Sequence, residues 1–327
     1  MTRLGRFSSR LIGGLLVISI PLTVFWQRWN IYDSWRLRNY QAPVAIAQLA
    51  TDDTMTDKTR RLFYVSHPEL EDKQTFSGNC KSTEKTIVLG CYILWKGIYL
   101  YNVTDARLAG VVQVTAAHET LHAAYDRLSP TERTRVNKLI NQAYGQVTDQ
   151  RIKDTIEDYR KNGADTTNEL HSILGTEVRN LPPELEQYYA QYFKDRKAIV
   201  GYSEKYEAVF SSNKAQAAAF LEQMNAIKAQ LDALKSSIDS QEAQLSSQRA
   251  ALQADRNSAN TPAGVQAYNA RVDAYNAQVR TYQQSIASYN ALVKRYNDIL
   301  AQYNAVASEE GELIKALDSR PTNVQTQ

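Results

Sequence analysis

Residues 111–128 read VVQVTAAHETLHAAYDRL, and the spacing inside this stretch governs what the rest of the chain can be. Val111, Val114, Ala117, Leu121 and Ala124 recur at three- and four-residue intervals. That is the apolar stripe of a helix packed into a core. His118 and His122 stand four apart, so they stack on one helix face and can share one metal ion in a cleft. Glu119 lies one position round from His118, within reach of a metal-activated water. This is the H-E-x-x-H arrangement, two imidazole ligands and a carboxylate base for metal-assisted hydrolysis. With only 4 histidines in 327 residues, the spacing carries information. Catalysis also needs a third protein ligand and an open position for water. Glu169, His171 and Glu177 in NELHSILGTE (168–177) are the candidates. Glu169 and His171 point about 200° apart on a helix, so one helix offers only some of them to a single ion. Glu169 has a competing role, because Thr166-x-x-Glu169 matches a capping box.

A formal net charge of +3 gives no bulk attraction for nucleic acid, and none is expected as a partner. The charge is unevenly placed. Arg3, Arg6 and Arg10 precede an uncharged stretch from Leu11 to Trp26. A helix of that length spans about 24 Å, short of a hydrocarbon core of about 30 Å, but Arg10 and Arg28 can snorkel and Trp26 and Trp29 suit the interface. The first small-x-small site, Ala45-Ile46-Ala47, lies far beyond the apolar stretch for signal peptidase. The expectation is therefore an uncleaved signal anchor. Residues 1–29 supply a cytoplasmic tip and a transmembrane helix, and residues 11–27 meet the lipid bilayer. A cleaved signal peptide is the next alternative. The remainder is expected outside a single-pass cell membrane, and Cys80 and Cys91, the only cysteines, then pair as a disulfide.

Residues 30–204 read as an α+β, helix-rich domain with a small β-sheet. Thr86–Trp95 and Ile98–Val103, rich in β-branched and aromatic residues around Lys96-Gly97, predict a β-hairpin. Asp105 is placed to cap the motif helix. Ser129 and Glu132 predict a capping box for a helix over Pro130–Tyr144. Gly175 is expected to end the helix that carries Glu169, and Pro182-Pro183 to open the next, ELEQYYAQYFKDR. After residue 205 the composition shifts to Ala, Gln, Ser, Asn and Tyr. Ala217, Met224, Leu231, Ile238, Leu245 and Leu252 recur every seven residues, as do Val272, Val279, Ile286, Val293 and Leu300 beyond the loop NSANTPAG (257–264). Tyr268, Tyr275, Tyr282, Tyr289, Tyr296 and Tyr303 fill the second heptad position of the later arm. Two heptad arms across a short loop predict an antiparallel coiled-coil hairpin over residues 205–318, followed by a disordered tail at 319–327. Its seam serves as a spacer, or as a surface for a protein partner or self-association.

HETLHAAYD, residues 118–126, resembles the H-E-x-x-H-x-x-x-D form of the gluzincin, thermolysin-type zinc metallopeptidases. Asn168-Glu169-Leu170-His171-Ser172 is similar to the segment in which that family carries its third ligand. The resemblance implies a zincin-like domain holding Zn(2+) on His118, His122 and Glu169, with Glu119 as general base. Asp126, one turn beyond His122, is then a candidate orienting carboxylate. Glu177, and after it His171, are the alternatives to Glu169. Two departures stand out: Ile173 occupies a position where thermolysin-type enzymes carry an Asp, and the interval from His122 to Glu169 is longer. By analogy with zincins, the strand Gly97–Val103 is expected at the sheet edge above the cleft, pairing with an extended substrate. The function expected is a membrane-anchored, extracytoplasmic zinc metallopeptidase acting on a peptide or protein substrate. A non-catalytic cell-envelope scaffold using its coiled coil, and a zinc amidase acting on cell-wall peptide, are the two alternatives.

Overall fold

The architecture comes from a computed structural model in which residues 27–80, 87–256 and 259–320 are described. The transmembrane helix expected within residues 1–29 falls almost wholly, and the tail largely, outside the described residues. Among the described residues, no helix is long and apolar enough to cross a membrane. The chain divides into two compact units, Met1–Val209 with Leu313–Gln327, and Phe210–Glu312.

The first unit is helix-rich around a small sheet. Helix α1 covers residues 27–37. It is followed by α2 (Val44–Asp52), α3 (Asp57–Val65), β1 (Glu69–Glu71), α4 (Lys73–Asn79), β2 (Gly90–Ile93) and β3 (Gly97–Tyr101). A 3-10 turn, Ala106–Leu108, leads to α5 (Val111–Asp126), α6 (Pro130–Tyr144), α7 (Gln150–Lys161), α8 (Thr166–Glu177) and α9 (Pro183–Tyr189). Several starts follow from side-chain caps. Thr56 accepts from the Thr59 amide to open α3, Asp72 from Thr75 to open α4, and Ser129 from Glu132 to open α6. Each satisfies a donor that a helix start leaves free.

β2 and β3 form the expected antiparallel hairpin, with Gly90 opposite Leu100 and Ile93 opposite Gly97. The third strand, β1, has no clear signal in the sequence. It pairs in parallel with β3, Glu69 opposite Tyr99 and Glu71 opposite Tyr101, so the strand order is β1-β3-β2. This corrects one expectation. Gly97–Tyr101 is the central strand, hydrogen-bonded on both sides, and β2 is an edge. The physical reason is burial: Ile98 and Leu100 are fully enclosed, whereas β2 is half-buried along Cys91–Ile93.

Helix α5 is the centre of the unit, packing most extensively against α8 and also against β2, β3, α3 and α2. Its burial extends well beyond one stripe, taking in Ala116, Ala117, Ala123 and Ala124 as well as Val114 and Leu121. The alanines let neighbouring elements approach from several directions. Two local expectations are corrected here. Asp105 caps the 3-10 turn, accepting from the Arg107 amide, and α5 starts instead at Gly110, whose φ of 109° and contact with Tyr202 leave no room for a side chain. Gly175 does not end α8. It lies inside the helix, and a Cβ there would collide with Leu121 and Tyr189, so it sets the close approach of α8 to α5.

α9 is shorter than the sequence indicates, ending at Tyr189. The chain then forms a bridge between Met55 and Phe193, both buried. Arg196, buried beside the end of α8, donates to the carbonyls of Val178 (2.7 Å) and Arg179 (2.9 Å) and pairs with Glu186 (2.7 Å). It thereby satisfies carbonyls that the α8 C-terminus leaves open.

Two long helices follow, α10 (Arg196–Asp255) and α11 (Pro262–Leu317). Within the second unit, Met224 and Ile227 pack with Ile299, Gln241 meets Ser285, and Asp255 pairs with Arg271. Partner numbers rise on one arm as they fall on the other, so the arms run antiparallel. The heptad tyrosines are half-buried along this seam, as a ring with a hydroxyl at its tip requires.

Candidate metal centre

α5 and α8 bring the site together. The Nε2 atoms of His118 and His122 are 3.0 Å apart. Glu169 Oε2, from the first turn of α8, stands 3.7 Å from the former and 3.6 Å from the latter. A point at the centre of that triangle is about 2 Å from all three atoms, the bond length of zinc to imidazole and carboxylate. The donor set can therefore hold a metal ion. His118, Glu119 and His122 also form a group whose ligand atoms all lie within 4.8 Å of one another.

Glu169 reaches this position because Asp165, not Thr166, caps α8, accepting from the amides of Thr167 and Asn168. The Glu169 carboxylate is thus free of the capping-box role and turns to the imidazoles. Burial raises its pKa, but hydrogen bonds from His118 and Tyr159 and the nearby His122 ring outweigh that effect and hold it below the usual carboxylate value. Tyr159 on α7 is a contact that the sequence did not single out.

The other two ligand candidates are occupied elsewhere. Glu177 Oε2 accepts from Arg151 Nη1 at 2.7 Å. His171 is fully buried, its Nε2 2.9 Å from the Tyr188 hydroxyl, and burial pushes its pKa down to about 3. It packs among Tyr125, Tyr188 and Tyr189 as a core side chain.

Asp126 lines the same cleft as the two imidazoles. Its carboxylate lies 3.9 Å from Arg133. His122 Nδ1 instead donates to Asn168 Oδ1 at 3.0 Å, leaving the Nε2 lone pair toward the ion position. Asn168 comes across from α8 to meet that nitrogen, whereas Asp126 sits at the end of α5. Asn168 was visible in the sequence only as the residue before Glu169.

Glu119 is buried between α5 and the edge strand. A Cβ on Gly90 would lie 2.8 Å from Glu119 Cγ and 2.9 Å from its Oε1, so glycine is required for the two elements to meet. Burial lifts the Glu119 pKa to about 7; His122 and a hydrogen bond from the Tyr92 amide oppose the rise, and the Glu169 charge adds to it. A group with that value can take and return a proton near neutral pH.

The surrounding cleft, about 440 Å³, is lined by β2 from Gly90 to Ile93 and by His118, Glu119, His122 and Glu169 among others. Cys80 and Cys91 lie on its wall, joined as a disulfide that ties the end of α4 to β2. No protein-family model, curated protein or solved structure matches this chain.

Proposed function

We propose that the chain is a zinc-dependent, gluzincin-like metallopeptidase, anchored in a membrane through residues 11–27 with its catalytic unit outside the cytoplasm. The observation that carries the proposal is the triangle of His118, His122 and Glu169, with Glu119 beside it and a cleft open to solvent. His118, His122 and Glu169 would hold the ion. Zinc, when bound, supplies Lewis acidity, polarising a scissile carbonyl and lowering the pKa of water to about 7.

Every other part of the reaction belongs to the protein. Asn168 keeps His122 in the tautomer that offers Nε2. Glu119 takes a proton from the attacking water on a carboxylate oxygen and delivers it to the departing amine nitrogen. Gly90 and the Tyr92 amide hold Glu119 in place for both transfers. β2, rather than Gly97–Tyr101, is the sheet edge along the cleft, and its outward main-chain groups other than the Tyr92 amide can pair with an extended substrate backbone. The Cys80–Cys91 bond and the Arg-flanked apolar stretch support the extracytoplasmic placement.

The test is metal content of the purified full chain in detergent. One zinc per chain is expected for the wild type and for Glu177→Ala, and loss of zinc for His118→Ala and Glu169→Ala. A wild type without stoichiometric zinc, or a Glu169→Ala chain that keeps it, would overturn the assignment.

A further inference from the structure

The turn between β2 and β3, Leu94-Trp95-Lys96, carries an apolar tip where a hairpin usually carries glycine or asparagine. Trp95 has a φ of 67°, in the left-handed region, and is 52% exposed; Leu94 beside it is 42% exposed. A non-glycine residue there costs about 1 kcal/mol, and an exposed indole adds nothing to the core. Trp95 is nonetheless held firmly. It stacks on Trp29 of α1 at 4.9 Å and meets Tyr32 edge-on at 4.9 Å. Tyr32 leads to Trp35, which is 69% exposed, and Ile31, one turn earlier, is 53% exposed. Arg38, just past the end of α1, and Lys96, in the turn itself, are exposed as well.

The cluster is also fastened to the motif helix. Arg127, at the end of α5, lies 4.6 Å over the Trp29 ring and pairs with Asp33 at 2.9 Å. The chain enters α1 directly from the uncharged stretch Leu11–Trp26. Tryptophan and tyrosine rings flanked by arginine and lysine, next to an apolar segment, are the chemistry of a bilayer interface. A solvent-facing apolar patch of this kind marks a contact surface.

We propose that Trp29, Tyr32, Trp35, Leu94 and Trp95 form a membrane-contact surface resting at the headgroup level of a phospholipid bilayer. Arg38 and Lys96 meet the phosphates. Because the turn continues directly from β2, the contact sets the mouth of the metal cleft within a strand's length of the headgroups. The surface does not depend on the hydrolytic reading, since it needs neither zinc nor Glu119.

The experiment uses the full chain reconstituted in vesicles of phosphatidylcholine and phosphatidylglycerol whose acyl chains are brominated near the headgroup. Tryptophan emission is compared for wild type, Trp95→Phe and, independently, Trp35→Phe on the exposed face of α1. Each substitution is expected to reduce the lipid-quenched part of the emission and to leave the unquenched remainder unchanged. If the chain floats with the vesicles and neither substitution alters the quenched part, the contact surface is overturned while the anchor stands. A chain that does not float with the vesicles overturns both.

Discussion

Glu169 and Glu119 approach the same two imidazoles from different elements, and their surroundings shift them in opposite directions. Glu169, hydrogen-bonded by His118 and Tyr159, is held below the ordinary carboxylate value, whereas burial against Gly90 lifts Glu119 to about 7. The i, i+4 pair and the adjacent Glu were legible in the sequence because one helix fixes their spacing. Asn168 was not, because its contact with His122 exists only where α8 crosses α5. Asn168→Ala is expected to weaken zinc binding by about 10- to 100-fold, read by competition with a chelator, while leaving the fold intact. Gly90→Ala is expected to displace Glu119 and lower turnover with zinc content unchanged. Away from the site, Asp53 is fully buried with no hydrogen-bond partner for either oxygen among the described residues. Burial, and secondarily Asp52, raise its pKa well above the ordinary 3.8. The folded state therefore holds a proton that the unfolded state releases, so stability is present below 3.8 and is lost as pH rises through the folded value. Asp53→Asn is expected to raise the melting temperature at neutral pH, with the gain vanishing as the pH approaches 3.8; a gain that does not change with pH would refute this origin.

At the scale of elements, periodicity located helices well and placed strands less well. The start and end of Pro130–Tyr144 were readable because serine, proline and glutamate declare a helix start locally. The position of Gly97–Tyr101 inside the sheet was not, because it depends on β1, Glu69-Leu70-Glu71, which is too short for its alternation to stand out. Gly175 illustrates the same limit: a glycine that ends a helix and one that lets two helices touch look alike until the partner is known. α8 is set by that contact and by Arg196 at its end. Arg196→Ala leaves the carbonyls at the end of α8 without their donor, while the partly exposed Glu186 carboxylate turns to water, and a loss of about 1–3 kcal/mol is expected in chemical denaturation. The Cys80–Cys91 bond, between residues 11 apart, steadies the edge strand in the same way. Replacing both cysteines by serine is expected to cost roughly 3 kcal/mol and to speed hydrogen exchange along Gly90–Ile93.

For the molecule as a whole, two kinds of sequence pattern lead to two compact units. Short capped helices close around α5 in one, and a seven-residue repeat pairs two long helices in the other. The heptads were legible because a seam every seven residues needs no distant partner to be recognised. Ile299, packed with Met224 and Ile227, contributes beside that seam, and Ile299→Ala is expected to lower the melting temperature of the hairpin, at a cost of about 2–5 kcal/mol. The central claim concerns the first unit, that its metal centre breaks peptide bonds. The most direct measurement is cleavage of an unbiased peptide library by the zinc-loaded full chain, with Glu119→Gln alongside. Cleavage by the wild type, and its loss in a Glu119→Gln chain that still holds one zinc, is the expected result. Equal cleavage by both chains, or none by a zinc-loaded wild type, would contradict it.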